Sequence, residues 1–280
     1  MEYRYEREGL GDMQAVLAEE RLSAGRLQES LVALQDEVRR DPSDVKKRIF
    51  LFQLLAIEGE WERARNQLDA CLNLEKSSQA MVEVYRMALL AEQTRHAVFA
   101  GTANPTIFGE PQQWTACLVE ALRLNSVGNM SKANELRLEA FDAAPITAGE
   151  IDGQPFNWIC DADSRLGPLL EAVLNGQYMW IPFDRIRAIR VEAPTDLRDF
   201  VWLPAAFTWT HGGDVMGLIP SRYPGSEKHT DNGIRMARRT EWQALGDEQF
   251  SGLGQRMFAT DCGEFSLLDM RHIEFRSDRG

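Results

Sequence analysis

The chain of 280 residues is 44% apolar, enough to fill the core of one large or two ordinary domains, so a disordered chain is excluded. Its formal charge of −12 argues against nucleic acid or an anionic membrane as partner, because neutralising phosphates needs a basic surface. No run of about 18 apolar residues occurs, and the opening stretch lacks the apolar segment of a signal peptide, so the cytoplasm is the expected compartment.

Residues 1–12 are polar, contain Gly9-Leu10-Gly11, and are expected to form a flexible leader. From Met13 onward apolar residues recur at helical spacing. Leu27, Leu31, Leu34 and Val38 fall on one helix face, and the pattern returns through Ile49, Phe52 and Leu55 and then Trp61, Ala64, Leu68 and Leu72. Gly25-Arg26-Leu27 and Gly59-Glu60-Trp61 are spaced by 34 residues, and Gly128 lies close to two further periods on. That is the spacing of tetratricopeptide repeats, in which a small residue at each turn lets two helices close. The unit between, "AMVEVYRMALLAEQTRHAVFAG", keeps the helical period without the glycine. A further helix is expected to start at Pro111, where the missing amide hydrogen costs nothing. Residues 13–147 are therefore expected to form a tetratricopeptide-like helical domain that folds by itself. Trp61 and Tyr85, apolar positions near the helix turns, are candidate partner contacts; the competing reading places both in the core.

After Pro145 the period changes, and "GEIDGQPF" reads as a linker. Asn175-Gly176 between two apolar runs is a hairpin signal, "RIRAIRVE" alternates as a half-exposed strand would, and His211-Gly212-Gly213-Asp214 is a turn. Strands are also expected at "EWQAL", "GQRMFATD" and "FSLLDMRHIEF", with one short helix near residues 235–239. The expected fold class is α+β: helical repeats followed, over 148–280, by a mostly antiparallel, barrel-like β domain.

Asp161-Ala162-Asp163-Ser164-Arg165 invites a chemical reading. A calcium loop opening at Asp161 would need Gly and Glu where Leu166 and Ala172 stand, so that reading fails. On a strand, Asp161, Asp163 and Arg165 would share one face and form a charge-paired network that specifies the fold; the alternative is an enzyme using that cluster. A triad of Ser226, His229 and Asp231 lacks the rigid elbow and oxyanion donors it needs. Gly252-Leu253-Gly254 has no parallel β-α-β context for a dinucleotide and reads as a hairpin turn. His96, His211, His229 and His272 lack metal-ligand spacing, and Cys71, Cys117, Cys160 and Cys262 form no C-x-x-C pair. No metal, cofactor or catalytic residue is assigned.

Several long segments in order, "FLFQLLAIEGEWERARNQLD", "VFAGTANPTIFGEPQQW", "DGQPFNWICDADSRLGPLLEAVLNGQYMWIPFDRI", "PTDLRDFVWLPAAFTW" and "LIPSRYPGSE", closely resemble the ImpE/TagJ family of type VI secretion accessory proteins. The resemblance runs from about Met13 to Phe275. It implies a cytoplasmic, non-enzymatic bacterial adaptor that binds a helix of the small contractile-sheath subunit and is linked to the ATPase that disassembles the sheath. It implies no catalytic role for Asp161, Asp163 or Arg165.

Overall fold

The structure is a computed structural model describing residues 26–276; the expected leader and Gly25 lie outside the described residues. The first half is helical: α1 Leu27–Arg40, α2 Val45–Ile57, α3 Trp61–Leu74, α4 Gln79–Phe99, α5 Gln113–Ser126 and α6 Met130–Ala143. Helix α1 buries Leu27, Leu31, Leu34 and Val38, the face read from the spacing. Asp44 caps α2 by accepting the Lys47 amide at 3.0 Å. Gly59 at φ +72° and Gly128 at φ +78° make the α2–α3 and α5–α6 turns, where any side chain would be strained. The 34-residue spacing does not carry through α4, a single helix of 21 residues followed by an irregular stretch. Its sequence offers no breaker before Gly101, so it does not fold into two short helices. Helix α5 starts at Gln113, two residues later than expected from Pro111.

The strands are β1 Thr106–Ile107, β2 Gly149–Ile151, β3 Gln154–Phe156, β4 Ile159–Asp161, β5 Leu169–Leu174, β6 Gln177–Pro182, β7 Ile186–Val191, β8 Trp202–Trp209, β9 Asp214–Pro220, β10 Thr240–Gly246, β11 Gln249–Gly254, β12 Met257–Thr260, β13 Gly263–Ser266 and β14 His272–Phe275. Nine form one sheet in the order β1-β6-β5-β9-β8-β7-β14-β2-β3, antiparallel except where β1 joins β6 in parallel. The sheet is open, so the barrel-like expectation is corrected. Helices cover one face, and the sheet does not have to close on itself to bury that face. Smaller sheets are β13-β12-β4 and β10-β11.

Asn175 and Gly176, at φ 49° and 79°, form the β5–β6 turn. The expected linker "GEIDGQPF" is instead the β2–β3 hairpin, turned by Asp152-Gly153 with the same pair of positive φ values. "FSLLDMRHIEF" splits into β13 and β14, and the short helix, α7 Asn232–Arg235, lies N-terminal to most of the expected segment and ends at its first residue, with Ala237 beyond it at φ 50°. Gly252 lies within β11 rather than in a turn; its missing Cβ admits the Tyr223 ring, whose nearest atom would be 2.2 Å away.

Strand β5 explains how the halves join. All six of its residues are buried. Leu169 and Val173 face a core shared with the helices, while Leu170, Ala172 and Leu174 face a second core closed by Ile159, Phe258 and Ile273. Trp180, Trp202 and Leu218 enter the same core as Leu55, Leu68 and Tyr85, so the apolar interior is continuous across the change from helix to strand.

Candidate functional site

Alternation along β5 puts Glu171 on the helix-facing side, fully buried, between Leu169 and Val173. A carboxylate there is tolerated only with partners, and it has four donors. Arg95 of α4 donates Nε to Oε1 at 2.7 Å and Nη2 to Oε2 at 3.0 Å; Arg256, just before β12, donates to Oε2; Tyr178 donates its hydroxyl to Oε1. Trp180 Nε1 donates to the Tyr178 hydroxyl at 2.7 Å, and Trp202 Nε1 to Glu92 at 2.9 Å. Arg256 also donates to Asp161 Oδ2 and to the Pro220 carbonyl at 2.9 Å, and is fully buried.

Asp161 and Asp163 join this network by different means. Strand β4 ends at Asp161, so Asp163 and Arg165 lie in the turn that follows; the expectation of three residues on one strand face is corrected. Asp161 Oδ1 accepts the Asp163 amide at 2.9 Å and the Tyr223 hydroxyl at 3.0 Å. Asp163 accepts the Gly252 amide at 3.0 Å and holds Arg165 through both its backbone and its guanidinium. The Arg165 guanidinium lies 4.9 Å from the centre of the Phe99 ring on α4. The cluster thus fastens turn 162–166 to β11, β12 and the helices. Arg222 does the same for α2: its guanidinium donates to the Ala56 and Ile57 carbonyls at 2.9 and 2.7 Å, at the helix end where the last carbonyls lack intrahelical i+4 partners. Burial lowers the Arg222 guanidinium to about 10.

Burial by itself would raise the Glu171 carboxyl, but Arg95 and Arg256 outweigh it and hold it at about 2. Burial pushes Asp161 up to about 7 against the pull of Arg256. A depressed carboxylate stabilises the fold above its unfolded value near 4.5 and loses that contribution as pH falls through the folded value. Glu171 is therefore expected to make the protein lose roughly 3 kcal/mol between about pH 4.5 and 2, at about 1.4 kcal/mol per unit. Asp161 has the opposite sign, favouring the folded state below 3.8 and ceasing to do so as pH rises through 7. Denaturant melts of the parent and Asp161→Asn across pH 3–8 check this: the variant should lack the decline between pH 4 and 7.

Ser226 is buried in the turn Ser226–Lys228, with its hydroxyl donating to the Tyr223 carbonyl and accepting the Gly254 amide, not facing His229. Among the described residues no group of three His, Cys, Asp or Glu side chains is placed to hold a metal. Tyr85 is buried mid-helix, 5.6 Å from the Phe52 ring and 6.0 Å from Trp202, with Arg198 over its face. Trp61 is half-buried against Trp202 and His96.

An apolar groove of about 350 Å³ opens where α6 gives way to the sheet, between Phe141, Pro145 and Ile146 on one side and Trp158, Cys160 and Pro168 on the other. Ile146 is 80% and Trp158 40% exposed at its mouth. Burial pushes the Cys160 thiol up to about 12, which keeps it protonated and unreactive. Sequence reasoning passed over Arg95, Glu171, Arg222 and Arg256 as well as this groove. A charge inside an apolar strand run, as in "LLEAVL", was the available signal for Glu171.

The ImpE protein family model matches residues 153–274, the strand-rich half that carries Asp161, Glu171 and Arg256. The type VI secretion system accessory component TagJ of Pseudomonas aeruginosa is 48% identical over 93% of this chain and 92% of its own length. The crystal structure of protein VPA1032 from Vibrio parahaemolyticus superposes with a TM-score of 0.86 at 25% identity, covering 94% of this chain and 98% of that one. Helical layer and open sheet are thus one recurring fold, and with a relative this close over nearly its whole length, the chain belongs to the ImpE/TagJ family of type VI secretion accessory proteins.

Proposed function

We propose that the protein is a non-enzymatic adaptor of the bacterial type VI secretion system, working in the cytoplasm, that binds a helix of the small contractile-sheath subunit and connects it to the ATPase that disassembles the sheath. The name of the Pseudomonas aeruginosa relative places that protein among the system's accessory components, which supports an adaptor role. The observation that carries the non-enzymatic part is the closure of the charge cluster. Both Asp161 oxygens, both Glu171 oxygens and both Asp163 oxygens accept bonds from groups of the same chain. A general acid or base needs an atom free to reach substrate, and these carboxylates offer none. The enzyme alternative built on Asp161, Asp163 and Arg165 would require opening a buried network.

Calorimetric titration of the intact chain with purified small sheath subunit tests the reading. Saturable binding with a dissociation constant in the micromolar range or tighter, about −8 kcal/mol or better, is expected. Absence of heat and of co-elution at high concentration would remove the sheath subunit as partner.

A further inference from the structure

We infer that the groove between the end of α6 and strand β4 is a docking surface for a basic amphipathic helix, an inference that rests on the adaptor reading above and gives it a place on the molecule. The groove has the form such a site needs. Its walls come from two elements, α6 through Phe141 and the small sheet through Ile159 and Cys160, and its mouth exposes two large apolar side chains, Ile146 and Trp158. An engineered apolar cavity of about 150 Å³ suffices to hold a benzene ring, so about 350 Å³ takes roughly two aliphatic or aromatic anchors. Two anchors one helical turn apart are the usual grip of a helix laid in a groove.

Charge selects the occupant. No lysine or arginine lines the groove. Asp142, exposed, directly follows Phe141. Asp261, also exposed, receives the Asn157 amide at 2.8 Å and its side chain at 2.7 Å, which fixes a carboxylate beside Trp158. Glu264 pairs with Ala259 across β13–β12, and Ala259 pairs with Cys160 across β12–β4, so these three side chains stand in one row on one face. Cys160 of that row lines the groove, and exposed Glu264 ends it. The cations next to the lining are already paired, Arg165 with Asp163 and Arg256 with Asp161 and Glu171. An apolar slot with carboxylates on its rim fits a helix carrying lysines or arginines beside its apolar stripe, with the anchors supplying affinity and the rim setting on-rate and salt dependence. A second exposed apolar stripe, Val84, Met87 and Leu90 on α4, does not line this groove and serves as the control surface.

The test uses the full chain and two labelled peptides, a leucine–lysine amphipathic helix and its leucine–glutamate counterpart, followed by fluorescence anisotropy. The parent is expected to bind the lysine peptide at least tenfold more tightly than the glutamate peptide. Ile146→Ser and Trp158→Ser, each checked for an unchanged melting temperature, should weaken that binding at least tenfold, and Leu90→Ser on α4 should leave it unchanged. Because Ile146 is four-fifths exposed, its variant retains the fold even if Trp158→Ser does not. Equal binding by parent and Ile146→Ser, or no binding by the parent, overturns the docking surface; equal binding of both peptides overturns the basic character of the occupant. The small sheath subunit, titrated in parallel, separates the two levels. If it binds and Ile146→Ser has no effect, the adaptor reading stands and the groove falls. If it does not bind while the lysine peptide does so in the groove, the groove stands and the sheath subunit is not its occupant.

Discussion

Glu171→Gln is expected to lower the melting temperature by on the order of 10 °C. The carboxylate is fully buried and takes both Arg95 and Arg256, so its loss leaves two desolvated guanidinium groups short of a counter-charge. Breaking a buried pair from one side costs about 3–5 kcal/mol, and a chain of this size loses roughly 2–4 °C per kcal/mol. Glutamine keeps the shape and its oxygen can still receive the Tyr178 hydroxyl, but the amide nitrogen in place of Oε2 cannot accept from Arg95 and Arg256, so the lost charge and the lost acceptor act together. Arg95 retains Glu92 at 3.4 Å and Arg256 retains Asp161, which limits the loss to a destabilised but folded protein. Thermal melts followed by circular dichroism decide it: a variant that melts within 2 °C of the parent would mean the network sets the arrangement of the chain without stabilising it.

The second large effect is expected on dividing the chain. A fragment of residues 13–147 should lose the cooperative melt and a substantial part of the helicity that those residues have in the intact protein. Its helices share their core with Trp180, Trp202 and Leu218 of the sheet, and the carbonyls ending α2 are capped by Arg222 from beyond β9. Removing the sheet exposes the apolar face around Tyr85 and Leu89, leaves Arg95 without Glu171, and takes away Trp202, the indole that reaches Glu92. The helical spacing in the sequence leads to the opposite expectation, an autonomously folding domain, so the fragment is a direct contest between local periodicity and the shared core. The intact chain should show one calorimetric transition. Two transitions, or a fragment with native helicity and a sharp melt, would establish the halves as independent domains.

The sequence by itself determined the parts whose causes lie within a few residues. Leu27, Leu31, Leu34 and Val38 recur at intervals that only a helix brings to one face, and α1 buries those four. Asn175-Gly176 tolerates two consecutive positive φ values and so dictates the β5–β6 hairpin; Asp152-Gly153 carries the same instruction and was legible on the same grounds, though it reads more readily as linker. The change at Pro145 from a period of three and four to short alternating runs marks where helices give way to strands, between Ala143 and Gly149. The long matching segments were enough for the family. What the tertiary structure decided was which distant residues meet. Asp161 lies 95 positions from Arg256, and Arg95 lies 76 from Glu171, so no spacing rule could pair them. Nothing local told that Asp163 leaves the strand, or that Ile146 and Trp158 flank one groove. The physical reason is that backbone preference and amphipathic period act between neighbours along the chain, whereas desolvation acts on whatever the packed layers enclose. Only after the helices and the sheet close over β5 does Glu171 have to find its arginines.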